Sequence, residues 1–424
     1  MASTRQGQAG LLLTVLGWVA VLALTLYPSP QQADTSANTG VWCLVCGELG
    51  MVDVTLNIIL FIPLGAGLGL LGVSRLRALF AIALTTLTIE VLQLSVVVGR
   101  DASLSDLVTN IIGGAAGYWL ARHWRGVLSP PRKTSLAIAA AGAVGWLLIQ
   151  GFTGFALQRL LPRSVYYGQW APTLGQFEKF TGRVVSVRLD SIPLPGMRLP
   201  DSEGIREDLL APRSVLEVRA LSGEPTADVA PIFSIYDDRQ REIVLVGQDG
   251  LDLIYRLRTR TSPLGLRGPA LRLREALPPE AGVRVELRAR YTPGHYHLEA
   301  EIGPESYSRD LALSASWGWT FLLPFDHAFG GEMPWLTILW VGGLLLPVGY
   351  YAGQSGLVRG RKAGIALLIL LVMGLVVIPV LSSFAIVHPL EWMAGVLGPV
   401  VGYGFGRRAG LTNRFAADSR GQRG

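Results

Sequence analysis

Five polar side chains stand where an apolar stretch has little reason to keep them. Glu90 lies in Ile89-Glu90-Val91-Leu92-Gln93-Leu94, inside an aliphatic run long enough to cross a bilayer, and Gln93 follows it on the same helical face. An ionisable group at bilayer depth costs ~2.5 kcal/mol or more, so such a residue is first read as functional. Downstream, Asp106, Asn110, Gly113 and Gly117 recur every three or four positions and line one helical stripe. Gly113 and Gly117 form a small-xxx-small pair that lets another helix approach closely. Asn57 precedes Pro63 in a further apolar run, which the proline must kink or interrupt. Arg100 sits in the short turn between the runs carrying Glu90 and Asp106. The chemistry this set offers is recognition. Glu90 is the buried acid, Arg100 pairs with it or with an anionic head group, and Asn57, Gln93, Asn110 and Asp106 orient a ligand. Plainer roles stand beside these: Ser103 with Asp106 spells a capping box, and the three amides serve as interhelical glue worth ~0.6 to 2 kcal/mol each. All five histidines lie elsewhere in the chain. No Ser-, His- or Cys-based catalytic constellation, metal-ligand set or cofactor motif adjoins the cluster.

The elements that hold these residues follow from composition. Half the residues are hydrophobic and 16% are charged, and mean hydropathy is +0.40, too apolar for an ordinary soluble chain of this length. A span needs roughly 20 mostly apolar residues. Eight segments qualify by eye: 11–28, 54–73, 77–98, 104–121, 134–156, 334–353, 363–382 and 389–406. Between the fifth and sixth lies a polar stretch, 158–328, rich in Arg, Glu, Asp and Pro. The first run is longer than a signal peptide and lacks a small-x-small cleavage site, so it is expected to be a retained span.

The formal charge of +6 is distributed as a membrane protein distributes it, not as a nucleic-acid binder does. Arg75, Arg77, Arg122, Arg125, Arg132, Lys133, Arg359, Arg361, Lys362, Arg407, Arg408, Arg414, Arg420 and Arg423 all fall on one side. Of the opposite short loops, 29–53 and 383–388 carry no Lys or Arg, and 99–103 carries only Arg100. By the positive-inside rule both termini are cytoplasmic, 158–328 is extracytoplasmic, and the chain is a multi-pass protein of an inner or plasma membrane. Cys43 and Cys46 then face the oxidising side, where a local disulfide or two idle thiols is expected before a redox pair.

Asn57, Phe61-Ile62-Pro63-Leu64-Gly65, Ile89-Glu90, Gln93, Gly99-Arg100, Asp106, Asn110, Gly113-Gly114 and Gly117 follow one another in the order and spacing of the VanZ family, which residues 11–125 resemble. The resemblance implies a four-span unit of the cell envelope and a link to glycopeptide-type antibiotic resistance. It supplies no activity, cofactor or catalytic residue. The last three spans resemble a faded copy of spans two to four. Pro347-Val348-Gly349 stands for Pro63-Leu64-Gly65, and Glu391, Gly395, Gly398 and Gly402 stand for Asp106, Asn110, Gly113 and Gly117. The fifth span then corresponds to the first, and two parallel four-helix units result. The second copy has no counterpart of Glu90, Gln93 or Arg100. The chain thus divides into a VanZ-like unit over 1–128, a fifth helix within 129–157, an external domain over 158–328, three helices over 329–408 and a tail over 409–424.

The external domain reads as strands near 184–188, 214–219, 231–236, 242–246, 251–258, 283–288 and 296–301, separated by Gly, Pro and Asp turns. That pattern argues an all-β sandwich. The stretch from Ile232 to Thr259 resembles a concanavalin A-like or laminin G-like jelly roll, which implies glycan or protein binding or a spacer. Glu299, Glu301 and Glu305 read as a solvated strand face rather than a glycosidase pair. Trp317, Trp319, Phe321, Phe325 and Trp335 read as an interfacial aromatic belt.

The fold expected is therefore an α-helical polytopic membrane protein of about eight helices with an extracytoplasmic jelly-roll sandwich. Its expected partners are membrane lipids, a lipid-linked cell-wall precursor or an envelope glycan, and no nucleic acid. Three functional readings stay open: a non-enzymatic envelope protein that binds such a ligand, a proton-coupled transporter or lipid flippase using Glu90, and a head-group hydrolase or transferase.

Overall fold

The computed structural model describes residues 2–27, 45, 47, 49–97, 103–173, 177–322, 334–384 and 387–421, with side chains from residue 5 to residue 411. Arg100, Phe325 and the candidate disulfide of Cys43 and Cys46 lie outside the described residues. The chain forms two compact units, one of residues 1–135 with 263–267 and 412–424, the other of residues 136–262 with 268–411.

The first unit contains four helices, α1 (Ala2–Thr25), α2 (Gly50–Leu70), α3 (Arg75–Ser95) and α4 (Leu104–Leu128). Leu, Ile, Ala and Val dominate all four, and in hydrocarbon a helix is the local structure that satisfies its own backbone. Val21 of α1, Phe61, Leu64 and Leu68 of α2, and Ala78, Ile82 and Ile89 of α3 make a common core. Outward-facing positions stay apolar, as at Leu12, Leu22, Phe80 and Leu84. That inside-out surface is what a lipid-facing helix group presents. Helix α2 runs unbroken with Pro63 inside it, so the proline does not interrupt the helix.

Among the described residues, six helices are long and apolar enough to cross a membrane: α1 from Arg5, α2, α3, α5 (Arg132–Ala156), α7 (Pro334–Ser355) and the segment Arg361–Leu381. The fourth and eighth expected spans are also helical, as α4 and α10 (Pro389–Gly421), but they are not among the six. Both are diluted by glycine and polar residues, the very residues singled out above.

In the second unit, α5 leads into two antiparallel sheets. One has five strands in the order β1-β5-β6-β7-β8 and the other six in the order β11-β10-β9-β4-β2-β3. The first sheet comprises β1 (Tyr166–Trp170), β5 (Ala230–Asp237), β6 (Glu242–Asp249), β7 (Asp252–Leu257) and β8 (Ala270–Leu273). The second comprises β2 (Arg183–Leu189), β3 (Ile192–Pro193), β4 (Val215–Leu221), β9 (Arg284–Thr292), β10 (His295–Ile302) and β11 (Glu305–Ala312). Every expected strand is present. Strands β9 and β10 alternate between buried and mostly half-buried positions, as a sheet with one wetter face requires. Strand β5 is buried on both faces and β6 nearly so, and Phe177 and Val229 pack over Leu245, Ile254 and Ala270 of β6, β7 and β8. A helix not expected from the sequence, α6 (Ser202–Leu210), is capped at its start by the Asp201 carboxylate. At its end the Arg159 guanidinium donates to the carbonyls of Leu209 and Leu210 while lying 4.0 Å over the Tyr291 ring.

The remaining helices are α7, α8 (Arg361–Val372), α9 (Ile378–Leu381) and α10. A π-helical turn over Met373–Val377 joins α8 to α9, and there Gly374 packs directly on the Trp146 ring. The core of this group is Trp146, Val341, Leu345, Leu371, Leu375, Val387 and Ala394.

Candidate functional site

The polar cluster is assembled at the N-terminus of α4. Ser103 is the N-cap, and its hydroxyl accepts from the Asp106 backbone N–H at 3.0 Å. In a complete capping box the acid three residues in would reach back to the N-cap N–H. Here that N–H donates instead to Glu90 Oε2 at 2.9 Å, so the closing carboxylate comes from the neighbouring helix α3. The Asp106 carboxylate accepts from Asn57 Nδ2 of α2 at 2.6 Å. Two acids from different helices therefore sit at one helix N-terminus, where the aligned peptide dipoles favour negative charge.

The other two amides join the same face. Asn110 Nδ2 lies 2.8 Å from Thr86 Oγ1, one turn below Glu90 on α3. Gln93 Nε2 donates to the Thr25 carbonyl at the end of α1 at 2.9 Å. Glu90, Gln93 and Asn110 are only 7%, 8% and 2% exposed. Even so, Gln93 Oε1 and Asn110 Oδ1 accept no hydrogen bond, and among the described residues no cation pairs with Glu90. A buried polar atom left unpaired costs about 1–3 kcal/mol.

Glycine sets the distances. A Cβ on Gly113 would strike the Ile58 carbonyl, one on Gly117 the Ile62 carbonyl, and one on Gly65 the Gly114 carbonyl. Helices α2 and α4 thus meet backbone to backbone, which brings the short Asn57 side chain within reach of Asp106. At the far end of the joint, Tyr118 Oη donates to the Val73 carbonyl at 2.9 Å. Asn57, Glu90, Gln93, Asp106 and Asn110 are thereby gathered into one place, and Gly113 and Gly117 lie in the packing contact.

Residues 13–125 match the family model VanZ/LLP1. The N-terminal unit is VanZ-like. No curated protein and no solved structure gives a significant match.

Beyond the VanZ-like unit, the same joint recurs between α7 and α10. Gly398 abuts the Gly342 carbonyl, Gly402 the Leu346 carbonyl and Gly349 the Pro399 carbonyl. Tyr403 Oη donates to the Val358 carbonyl at 3.1 Å, across the same 45-residue separation as Tyr118 and Val73. Each residue here is the counterpart of one in the VanZ-like joint. Glu391, in the first turn of α10, holds the place of Asp106 and is 3% exposed. Its partners, however, are serines: the Ser314 hydroxyl donates to Glu391 Oε2 at 3.0 Å, and the Ser316 side chain bonds the same carboxylate. Ser314 belongs to the segment that leaves β11. Two residues on, Ser316 Oγ accepts from Gln150 Nε2 of α5 at 3.0 Å, and the Gln150 oxygen is buried without a partner.

Sequence reasoning missed Gln150, Ser314 and Ser316. A lone amide inside the apolar fifth span was a usable signal, but the serines lie in a loop that nothing in the sequence ties to the membrane. Two of the expected belt aromatics have defined contacts. Phe321 is buried against Phe152 with ring centres 6.2 Å apart, and Trp319 Nε1 donates to Thr337 at 3.0 Å. On the sandwich face, Glu299 and Asp310 clamp His297 through Nε2 and Nδ1 at 2.7 and 2.6 Å. Glu301 pairs with Arg288 at 3.0 Å and Glu305 accepts from the Tyr307 hydroxyl. Burial opposes charge on His297, but the two carboxylates outweigh it and hold its pKa above the ordinary value.

Proposed function

We propose that the VanZ-like unit binds the head group of a lipid-linked or amphiphilic ligand of the cell envelope at the Glu90 cluster, without catalysing a reaction on it. One observation carries this reading: a buried acid with no described cation beside it, tied to a helix N-terminus and flanked by an amide oxygen that accepts nothing. Helix packing alone has no use for such a set, since an apolar residue at each position would cost less in lipid. In this reading Glu90 is the buried acid, Asn57, Gln93, Asp106 and Asn110 orient the ligand, and Arg100, outside the described residues, is the group that pairs with Glu90 or with an anionic head group. The protein lies in the cell membrane with both termini cytoplasmic, as the Lys and Arg distribution supports. Residues 158–328 are then extracytoplasmic, and their sandwich binds glycan or protein in the manner of the concanavalin A-like domains it resembles. A contribution to glycopeptide-type resistance would follow from holding a wall-precursor lipid.

We further infer that α5 and α7–α10 are a degenerate second copy of α1–α4. The repeated glycine joint and the repeated Tyr-to-carbonyl bond support it.

Native mass spectrometry of the protein in mild detergent tests the binding reading. A lipid retained by the wild type and lost in both Glu90→Gln and Asn57→Ala supports it. Wild-type protein that carries no lipid, or variants that keep it unchanged, would sink it.

A further inference from the structure

Which head group would the cluster take? The inference below rests on the binding reading above and names the ligand's chemistry. A helix N-terminus is the usual cradle for phosphate, because its N–H groups and dipole both favour an anion. At α4 that place is already filled by the protein itself: Ser103 N–H donates to Glu90, Asp106 N–H donates to the Ser103 hydroxyl, and the Asp106 carboxylate lies in the same first turn. An incoming phosphate would meet two carboxyls and no vacant donor among these groups.

What the cluster lacks is the opposite. Gln93 is 8% exposed and lies one turn from Glu90 on the same face of α3. Its amide orientation is fixed, because Nε2 must donate to the Thr25 carbonyl, so the unpartnered atom is the oxygen. Asn110 offers no such fixed acceptor, since a hydroxyl such as Thr86 Oγ1 fits either end of an amide. The remaining capacity at the outer end of α3 is therefore acceptor capacity beside a buried acid. Its complement is a compact cation with several hydrogen-bond donors. A primary ammonium has three rotatable donors and one positive charge. A sugar hydroxyl would supply donors but leave the acid uncompensated.

We propose that the Glu90 cluster recognises an amphiphile whose head group carries a primary ammonium, with Glu90 and Gln93 Oε1 as its acceptors.

The test uses the full-length protein, stripped of lipid and given one lipid at a time in mixed micelles. The three lipids are dioleoyl phosphatidylethanolamine, its N-acetylated form and dioleoyl phosphatidylglycerol, with binding read by native mass spectrometry. All three carry the phosphate, and only the first carries the ammonium. Expected is binding of the amine lipid about tenfold or more tighter than the other two. Glu90→Gln and Gln93→Leu should each abolish that preference while remaining monodisperse. Equal or stronger binding of phosphatidylglycerol overturns the ammonium assignment and leaves the binding reading standing. Equal binding of the N-acetylated lipid does the same, because the phosphate would then be what is held. Binding of none of the three overturns the assignment, and the absence of any co-purifying amphiphile in the native preparation would then sink the binding reading as well. An amine preference that survives both Glu90→Gln and Gln93→Leu places the site elsewhere.

Discussion

In the VanZ-like half, the acid at the start of α4 takes its hydrogen bond from a helix, through Asn57. In the later half, the corresponding acid at the start of α10 takes it from Ser314, in the segment that leaves the sandwich. The joint around them is the same: glycine against carbonyl, and a tyrosine hydroxyl closing the far end. The position of Asn57 is held in the later half by Val341, which has nothing to donate. Glu90 and Gln93 have no acidic or amide counterpart there, where the chain instead makes a π-helical turn against Trp146. The difference teaches that packing and polar chemistry are separable here. The joint is kept by backbone contact and tolerates any polar partner that reaches the acid. One half uses its polar residues in a cluster between helices, and the other uses them to tie a helix to the segment that leaves the sandwich.

The comparison is broken most severely by filling the joint. Gly117→Val and Gly402→Val each drive a side chain into a backbone carbonyl that cannot retreat, and each should cost about 3 kcal/mol or more. Thermal unfolding in mild detergent should show both losses, and a variant that unfolds like wild type would mean its half does not depend on the joint. Next in size, Ser314→Ala removes one of the two serine hydrogen bonds to the buried Glu391 carboxyl, a loss of about 1–3 kcal/mol. Hydrogen exchange over residues 313–322 should accelerate in that variant and stay unchanged in Asn57→Ala. Acceleration in both would erase the distinction between the halves. Smaller still, Tyr118→Phe and Tyr403→Phe each remove one hydroxyl donor and should lower stability by a similar amount, about 0.5–1.5 kcal/mol. Markedly unequal losses would argue against duplication.

The smallest effect is expected outside both halves. His297 is held by two carboxylates and its folded pKa is raised. The stabilisation is therefore complete below its unfolded value of about 6.5. It fades as pH rises through the raised folded value. Because Asp310 is 74% exposed, the gain stays within about 1 kcal/mol. A His297→Gln variant should flatten this part of the pH–stability curve, and an unchanged curve would remove His297 as its source.

The sequence made the first cluster legible because a polar residue in an apolar run is conspicuous and helical spacing places Glu90 with Gln93 and Asp106 with Asn110. Pairings across helices were not legible. That Glu90, rather than Asp106, closes the cap of α4 depends on how α3 lies beside α4. In the sandwich, strict alternation exposed β9 and β10, and continuous aliphatic runs exposed β5 and β6. Strand β11, Glu-Ser-Tyr-Ser-Arg-Asp-Leu-Ala, escaped because it is an edge strand with little burial on either face and hence no apolar period. Helix α6 escaped for its shortness. The π-helical turn left no mark, since Met-Gly-Leu-Val-Val reads like any membrane segment.

Helix α4 is not among the helices apolar enough to enter a bilayer by themselves, and its cap is completed by a carboxylate that α3 supplies. Its delivery into the membrane during synthesis is then a cooperative act. Entering lipid side by side, Glu90 and the α4 N-terminus mask one another, which lowers the cost for both helices. A chain stopped after α3 would present an unmasked acid to lipid.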